Sequence, residues 1–337
     1  MIFVQTNDPA GNQILICDQA KDGTLSVAET VGTDGAGGAH EGMSIDGLDS
    51  QGSLMYDHGH HLLFAVNAGS GTVAMLGGEG PRLRQAMPSG GTFPVSLAVH
   101  DDLLYVLNAH DGASVNGFRI ADGLLHPIPG STRSLDLPPA SGPTQTAFSP
   151  TQLGFGPDGR QLIVSTFAAG AHLDVFAIHP DGRPSARFTA NPAGTPAPFA
   201  FTFDDQGRLV VADAGISALT TYTLHHDGTT TQIASTPDGG AAACWIVKVG
   251  HHFYVVNAGS NTISGYRIDK NGKPSVFTEV TTRNTPIDAV ATRDGRFLYV
   301  EVPGDGGVDG YHIEKDGTLT KVSELAVPST VQGIAAA

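Results

Sequence analysis

Cysteine is nearly missing from this chain. Cys17 and Cys244 are the only two, too few for a disulfide framework and suited to a reducing compartment. Positive charge is scarce as well: 18 Lys plus Arg face 33 Asp plus Glu, for a net charge of −15. A surface of that sign repels phosphate backbones and anionic bilayers, which argues against nucleic acid and membrane as partners. No apolar run approaches the roughly 20 residues of a membrane span. The opening "MIFVQTND" reads as a strand and not as a secretory leader. The expectation is a cytoplasmic protein, a monomer or small homo-oligomer, acting on a small molecule without a cofactor or metal. Helix-period stretches are few, whereas 44 Gly and 21 Pro mark many short strands joined by turns.

What is present is a repeat. "FAVNAGSGTVAML" at 64–76 returns as "YVVNAGSNTISGY" at 254–266. An apolar residue nine or ten places after each such asparagine position serves as a ruler: Ile16, Leu76, Phe118, Phe176, Tyr222, Tyr266 and Tyr311. The gaps are 60, 42, 58, 46, 44 and 45, and the two long ones hold insertions at residues 31–50 and 131–149. With those set aside the period lies in the forties, the length of a four-stranded propeller blade. Turn dipeptides follow the rulers: Asp22-Gly23, Glu79-Gly80, Asp122-Gly123, Asp181-Gly182, Asp227-Gly228, Asn271-Gly272 and Asp316-Gly317. Asp-Gly and Asn-Gly supply the positive φ of a type I′ hairpin. Seven inner-strand segments precede the repeats, and the last, near 330–335, has its partners at the start of the chain. The predicted fold is an all-β, seven-bladed propeller spanning 1–337 as one domain, its ring closed by pairing N- and C-terminal strands in one blade.

Turns in such a ring alternate between two faces. The NAGS-type turns and the blade connectors share one face, and both insertions lie there, where loops on a rigid scaffold tend to carry function. Most histidines fall on the other face or on outer strands; His40, His110 and His172 belong to the insertion face. Glu41 comes from the first insertion, Arg133 from the second, and Arg283 from a connector. Asn67, Asn108 and Asn257 occupy the repeated turns, where asparagine first of all suits a tight turn. Gln152, Asp288 and Gln332 sit on or beside inner strands. Trp245, the single tryptophan, is either core or a flat platform for a ring-shaped ligand, near Phe199. Cys244 lacks an activating neighbour in sequence, so it reads as core or pocket lining.

The "DGTLS", "DGRPS", "NGKPS" and "DGTLT" hairpins, the "NAGS" turns and the "PDGRQLIVS" and "RDGRFLYV" steps resemble the lactonase family of seven-bladed propellers. That family includes 6-phosphogluconolactonase-type proteins and carboxy-muconate cyclases, and the resemblance spans essentially the whole chain. It implies metal-independent opening or closing of a small lactone ring by polar and cationic side chains at one channel mouth. His110, His172, Arg133, Arg283 and Glu41 match the expected catalytic types by residue kind and face. His40, Asn67, Asn108, Gln152, Phe199, Cys244, Trp245, Asn257, Asp288 and Gln332 are the expected substrate contacts. Lactone hydrolysis asks for a base titrating near neutrality and donors for the oxyanion. A phosphorylated lactone would ask for a cluster of cations, and this face has only Arg133 and Arg283. The expectation is therefore a hydrolase of a neutral or apolar lactone. An isomerase or cyclase on an unsaturated acid or polyketide-like molecule, and a non-catalytic binding propeller, are the alternatives.

Overall fold

The computed structural model describes residues 1–78, 80–138, 149–167 and 171–337; Glu79 of one expected turn and 139–148 of the second insertion lie outside them. Seven antiparallel sheets stand in a ring. Their innermost strands are Ile334–Ala336 (blade 1), Leu54–Asp57 (blade 2), Pro94–His100 (blade 3) and Pro150–Phe155 (blade 4). Pro198–Phe203, Ala243–Val249 and Ala289–Ala291 complete the set as blades 5, 6 and 7. Three further strands follow outward in each blade. Blade 3 alone adds a fifth, Arg133–Ser134, which pairs with Ser114–Ala121. The seam is in blade 1, where Ile2–Gln5 pairs with Ile334–Ala336 on one side and Gln13–Gln19 on the other.

The outer hairpins depart from the type I′ expectation in all but one described case. Both central residues have positive φ only at Asp122 (53°) and Gly123 (72°). In the Asp22, Asp181, Asp227, Asn271 and Asp316 hairpins the glycine alone is left-handed. The aspartate side chain explains the difference. Asp22, Asp181, Asp227 and Asp316 each accept the N–H two residues on, at 3.0 Å, and Asp269 does so ahead of Asn271. This local acceptor holds the Asx turn and leaves the positive φ to glycine.

Those glycines also join the blades. Tyr105 donates its hydroxyl to Gly182 O (2.5 Å), Tyr254 to Gly317 O (2.7 Å) and Tyr299 to Gly23 O (2.7 Å), each reaching the next blade's hairpin. Asn191 and Thr221 do the same for Gly228 O (2.9 Å) and Gly272 O (2.6 Å). The Asp122-Gly123 hairpin is held differently, by Gln85 pairing with both backbone groups of Leu125. At Gly23, φ is +91° and a Cβ would collide with the Phe297 ring, so glycine is needed for conformation and for space. Two of the ruler residues, Tyr222 and Tyr266, reach backward instead, to Ala193 O and Thr236 O of the preceding blade. Between the blades pack large apolar side chains, among them Phe64, Tyr105, Phe118 and Phe176 in one cluster and Phe199, Trp245, Tyr254 and Tyr266 in another.

Removing one latch hydroxyl leaves a buried carbonyl without its donor, a cost of about 1–3 kcal/mol. Tyr299→Phe is expected to lower the thermal midpoint by a few degrees. Tyr56→Phe, whose hydroxyl bonds an exposed histidine ring, is the control and should leave it in place. Equal midpoints in calorimetry for both variants would show that the latch adds nothing.

Candidate active site

On the insertion face, the inner strands of blades 3, 4, 5 and 6 each shift register near their first residues. Such bulges free backbone groups from the ladder, and the first insertion uses them. Its last residues form a strap across the tunnel mouth. Ser50 Oγ donates to Val95 O (2.8 Å) and Gln51 N–H to Thr151 O (3.0 Å). Gln51 then pairs its amide with both backbone groups of Ile246 in blade 6, at 3.0 Å each, while Ser96 Oγ donates to Gln51 O. Gln332 of blade 1 accepts from Leu48 N–H (2.7 Å) and donates to Asp46. Trp245, 1% exposed, donates its indole N–H to Ser50 O at 3.0 Å and lies 4.8 Å from Phe199. The indole is thus core beneath the strap, which settles the choice left open by the sequence. Gln152 works like Gln51, pairing with both backbone groups of Phe201 in blade 5.

Under the strap lie carboxyl groups of one sign. Asp49 and Asp288 are pushed up to about 7 by burial. Asp46 and Glu301 are raised well above the ordinary range, by burial first and by neighbouring carboxyls second. Glu301 is fully buried, with one oxygen accepting Gly333 N–H and the other unpaired. Cys244 is buried beside them, and burial raises its thiol far above the reactive range. Among the described residues no group of three or more His, Cys, Asp or Glu side chains is arranged to hold a metal ion.

A second constellation sits between the first insertion and blades 3 and 4. His40, 1% exposed, is tied to the strap by its N–H to Gly47 O. Its Nδ1 lies 3.1 Å from His110 Nε2, and its Nε2 lies 3.3 Å from Ser149 Oγ. His110 stacks on Phe93, ring centroids 4.1 Å apart and planes 4° from parallel. Burial lowers the His110 pKa from the ordinary 6.5, with Asp111 opposing.

The remaining expected residues are placed elsewhere. Arg133 spends its guanidinium on the carbonyls of Gly130, Thr132, Pro184 and Ser185 at the outer edge. Arg283 pairs with Asp309 at 2.7 Å, and Lys321 shares that carboxylate. His172 opens the third strand of blade 4, 4.0 Å from Asp174, and no contact among the described residues joins it to His110. Glu41 is exposed. Asn67, Asn108 and Asn257 are fully buried and hold turns: Asn67 Oδ1 accepts from Asn12 and Thr33, Asn108 bonds Ser89 and Asn116, and Asn257 donates to Thr262 and Ser264. Ser149 and Phe93 were not singled out from sequence, because a serine or phenylalanine before an inner strand carries no signal of its own. A groove of about 1380 Å³ on the opposite face, between blades 6 and 7, gathers Lys248, His251, Arg296 and His312. These are paired with Asp205, Asp294 and Glu314, so it is an open, largely neutralised surface.

Comparison with known proteins shows what this geometry is similar to. Residues 216–332 match the model of "Lactonase, 7-bladed beta-propeller". The chain resembles the lactonase propellers. Its fold is similar to a 6-phosphogluconolactonase candidate from Bacteroides uniformis, at 18% identity and TM-score 0.75 with 98% of each chain covered. It is similar to the periplasmic gluconolactonase PpgL of Pseudomonas aeruginosa, at 16% identity and TM-score 0.75, covering 98% of this chain and 97% of that one. Virginiamycin B lyase from Staphylococcus aureus shares the fold at 14% identity and TM-score 0.61, covering 88% and 92%. A search of curated proteins gives no match. The lactonase-like ring is thus common to proteins named for different reactions.

The buried carboxyls fix a pH dependence. Asp49 and Asp288 stay protonated in the fold where the unfolded chain, with an ordinary value of 3.8, ionises. The stability they contribute is complete below that value and lost as pH rises toward 7. The thermal midpoint is expected to fall between about pH 4 and about pH 7, and Asp288→Asn should flatten that fall. An unchanged slope in the variant would remove Asp288 from the account.

Proposed function

We propose that the protein adds water to a small, uncharged lactone at the insertion face, with the His40–His110 pair as the base. One observation carries this reading: two imidazoles 3.1 Å apart on the loop-bearing face of a lactonase-like propeller. A neutral His110 can accept a proton from His40 Nδ1, which raises the basicity of His40 Nε2 toward a nucleophile. Arg133 is engaged by carbonyls and Arg283 through Nε by Asp309, with the buried Arg283 Nη2 unpartnered among the described residues. The lack of a free cation cluster supports an uncharged substrate, since a phosphorylated one would seek such a cluster. That choice parts from the phosphorylated substrate in the name of the Bacteroides uniformis neighbour and sits closer to that of the gluconolactonase.

The test is turnover of γ- and δ-lactones, gluconolactone and a phosphorylated sugar lactone, followed by pH-stat and mass spectrometry. Uncharged lactones should gain one water, and His40→Ala and His110→Ala should lose at least about 100-fold in kcat/KM, while His58→Ala on the opposite face should not. Because burial depresses the His110 pKa, the neutral form persists to lower pH, and the acid limb should be centred below 6.5. Preference for the phosphorylated lactone, or undiminished rates in both histidine variants, would overturn the proposal. The second reading is isomerisation or cyclisation of an unsaturated acid. Protonated carboxyls beside the axis suit proton traffic on carbon, and a product of unchanged mass would select it.

A further inference from the structure

Ser149 is the last residue before the inner strand of blade 4, and it is 1% exposed. Its Oγ lies 3.3 Å from His40 Nε2, where the tautomer decides which atom donates, and 3.4 Å from the Pro150 carbonyl, to which it can also donate. Beyond it the chain of contacts continues from His40 Nδ1 to His110 Nε2. Serine, base and a third group orienting the base are the parts of an activated nucleophile, recognised by geometry and not by order in the chain. The relay uses one of the proton arrangements these contacts allow: Ser149 O–H to His40 Nε2, His40 Nδ1–H to His110 Nε2, and the His110 proton on Nδ1. The depressed pKa of His110 keeps its Nε2 free to accept.

The surrounding backbone is strained in the same place. Phe93, on which His110 stacks, has φ 60°, and Asp111 in the His110 turn has 54°; the 57° of Ala113 belongs to a turn position that is left-handed in other blades as well, at Ala171, Ser217 and Asn261. Left-handed φ is costly for a bulky residue such as phenylalanine, and such conformations cluster where structure over-determines a site. His40 is also packed against Phe93, centroids 4.7 Å apart, so one strained ring fixes both imidazoles.

We propose that Ser149 is a nucleophile in a serine–histidine–histidine relay with His40 and His110, and that it carries the acyl group covalently during ring opening; this rests on the lactone-hydrolase reading. Ser149 Oγ attacks the lactone carbonyl carbon as its proton passes to His40 Nε2. His110 accepts the Nδ1–H of the resulting imidazolium and holds it in place. The bond from carbonyl carbon to ring oxygen breaks, and that oxygen takes the proton from His40, leaving a hydroxyacyl ester on Ser149. Water then gives a proton to His40 Nε2 and attacks the ester. The carbon–Oγ bond breaks, Oγ recovers the proton, and a hydroxy acid departs. The sum is one lactone and one water consumed for one hydroxy acid.

The full chain treated with diisopropyl fluorophosphate tests this. Intact-mass and peptide mass spectrometry should find one adduct, on Ser149, absent in Ser149→Ala and formed at least about 100-fold more slowly in His40→Ala. Lactone turnover by Ser149→Ala should fall by about 1000-fold or more. Ser149→Cys preserves the shape should the alanine variant misfold, and its thiol should hold an acyl group after exposure to p-nitrophenyl acetate. Wild-type turnover in a folded Ser149→Ala would overturn the relay while leaving lactone hydrolysis standing, with the imidazoles activating water. A wild-type protein that turns over lactones but takes no label on Ser149 would overturn it as well. A label on Ser149 that depends on His40, in a protein that opens no lactone, would uphold the relay and remove the lactone.

Discussion

A single crossing segment organises this molecule. The strap from Asp46 to Gly52 bonds to the inner strands of blades 3, 4 and 6 and to Gln332 just before that of blade 1, so backbone and amide groups cross the tunnel mouth. Several groups at the insertion face are positioned from it. His40 hangs on the loop that precedes it, Trp245 packs beneath it, and the carboxyls of Asp46 and Asp49 are carried into the axis by it. Burying like charges costs free energy unless the groups take up protons, and burial pushes these carboxyls toward the protonated form.

The strap can form because the propeller offers it partners. Bulges at the first residues of four inner strands leave carbonyls and N–H groups out of the ladder, and buried backbone groups must find partners somewhere. Gln51 and Gln152 answer with side-chain amides that imitate a strand, Gln51 satisfying one donor and one acceptor of distant blade 6 and Gln152 one of each in neighbouring blade 5. Glycine makes the close approaches: a Cβ at Gly37 would collide with the Asn7 backbone, so the segment leading to the strap could not otherwise lie against blade 1.

Much of the ring was legible in the sequence. A period in the forties, the hairpin glycines and an unpartnered last strand are local and repetitive, and repetition survives without knowledge of contacts. Asn67, Asn108 and Asn257 were legible as turn residues for the same reason. The hairpin type was not, because the choice between type I′ and a glycine-only turn depends on whether an aspartate side chain caps the turn. The site was legible only as a face. His40 and His110 are 70 residues apart and Ser149 lies 109 from His40, so no spacing announces them. Arg133 and Arg283 had the right charge and face, but carbonyls and Asp309 already claim them.

The bonds between blades repeat with little variation: a hydroxyl or amide to the hairpin glycine ahead, and tyrosines to the strand behind. A set of identical joints is content in a circle of any size, so these joints alone do not determine how many sheets the circle holds. The amide of Gln51 is a different joint, because it spans the bore and meets Ile246 at 3.0 Å on both atoms. The crossing segment therefore ties blade 6 to the chain entering blade 2 through the length of one side chain.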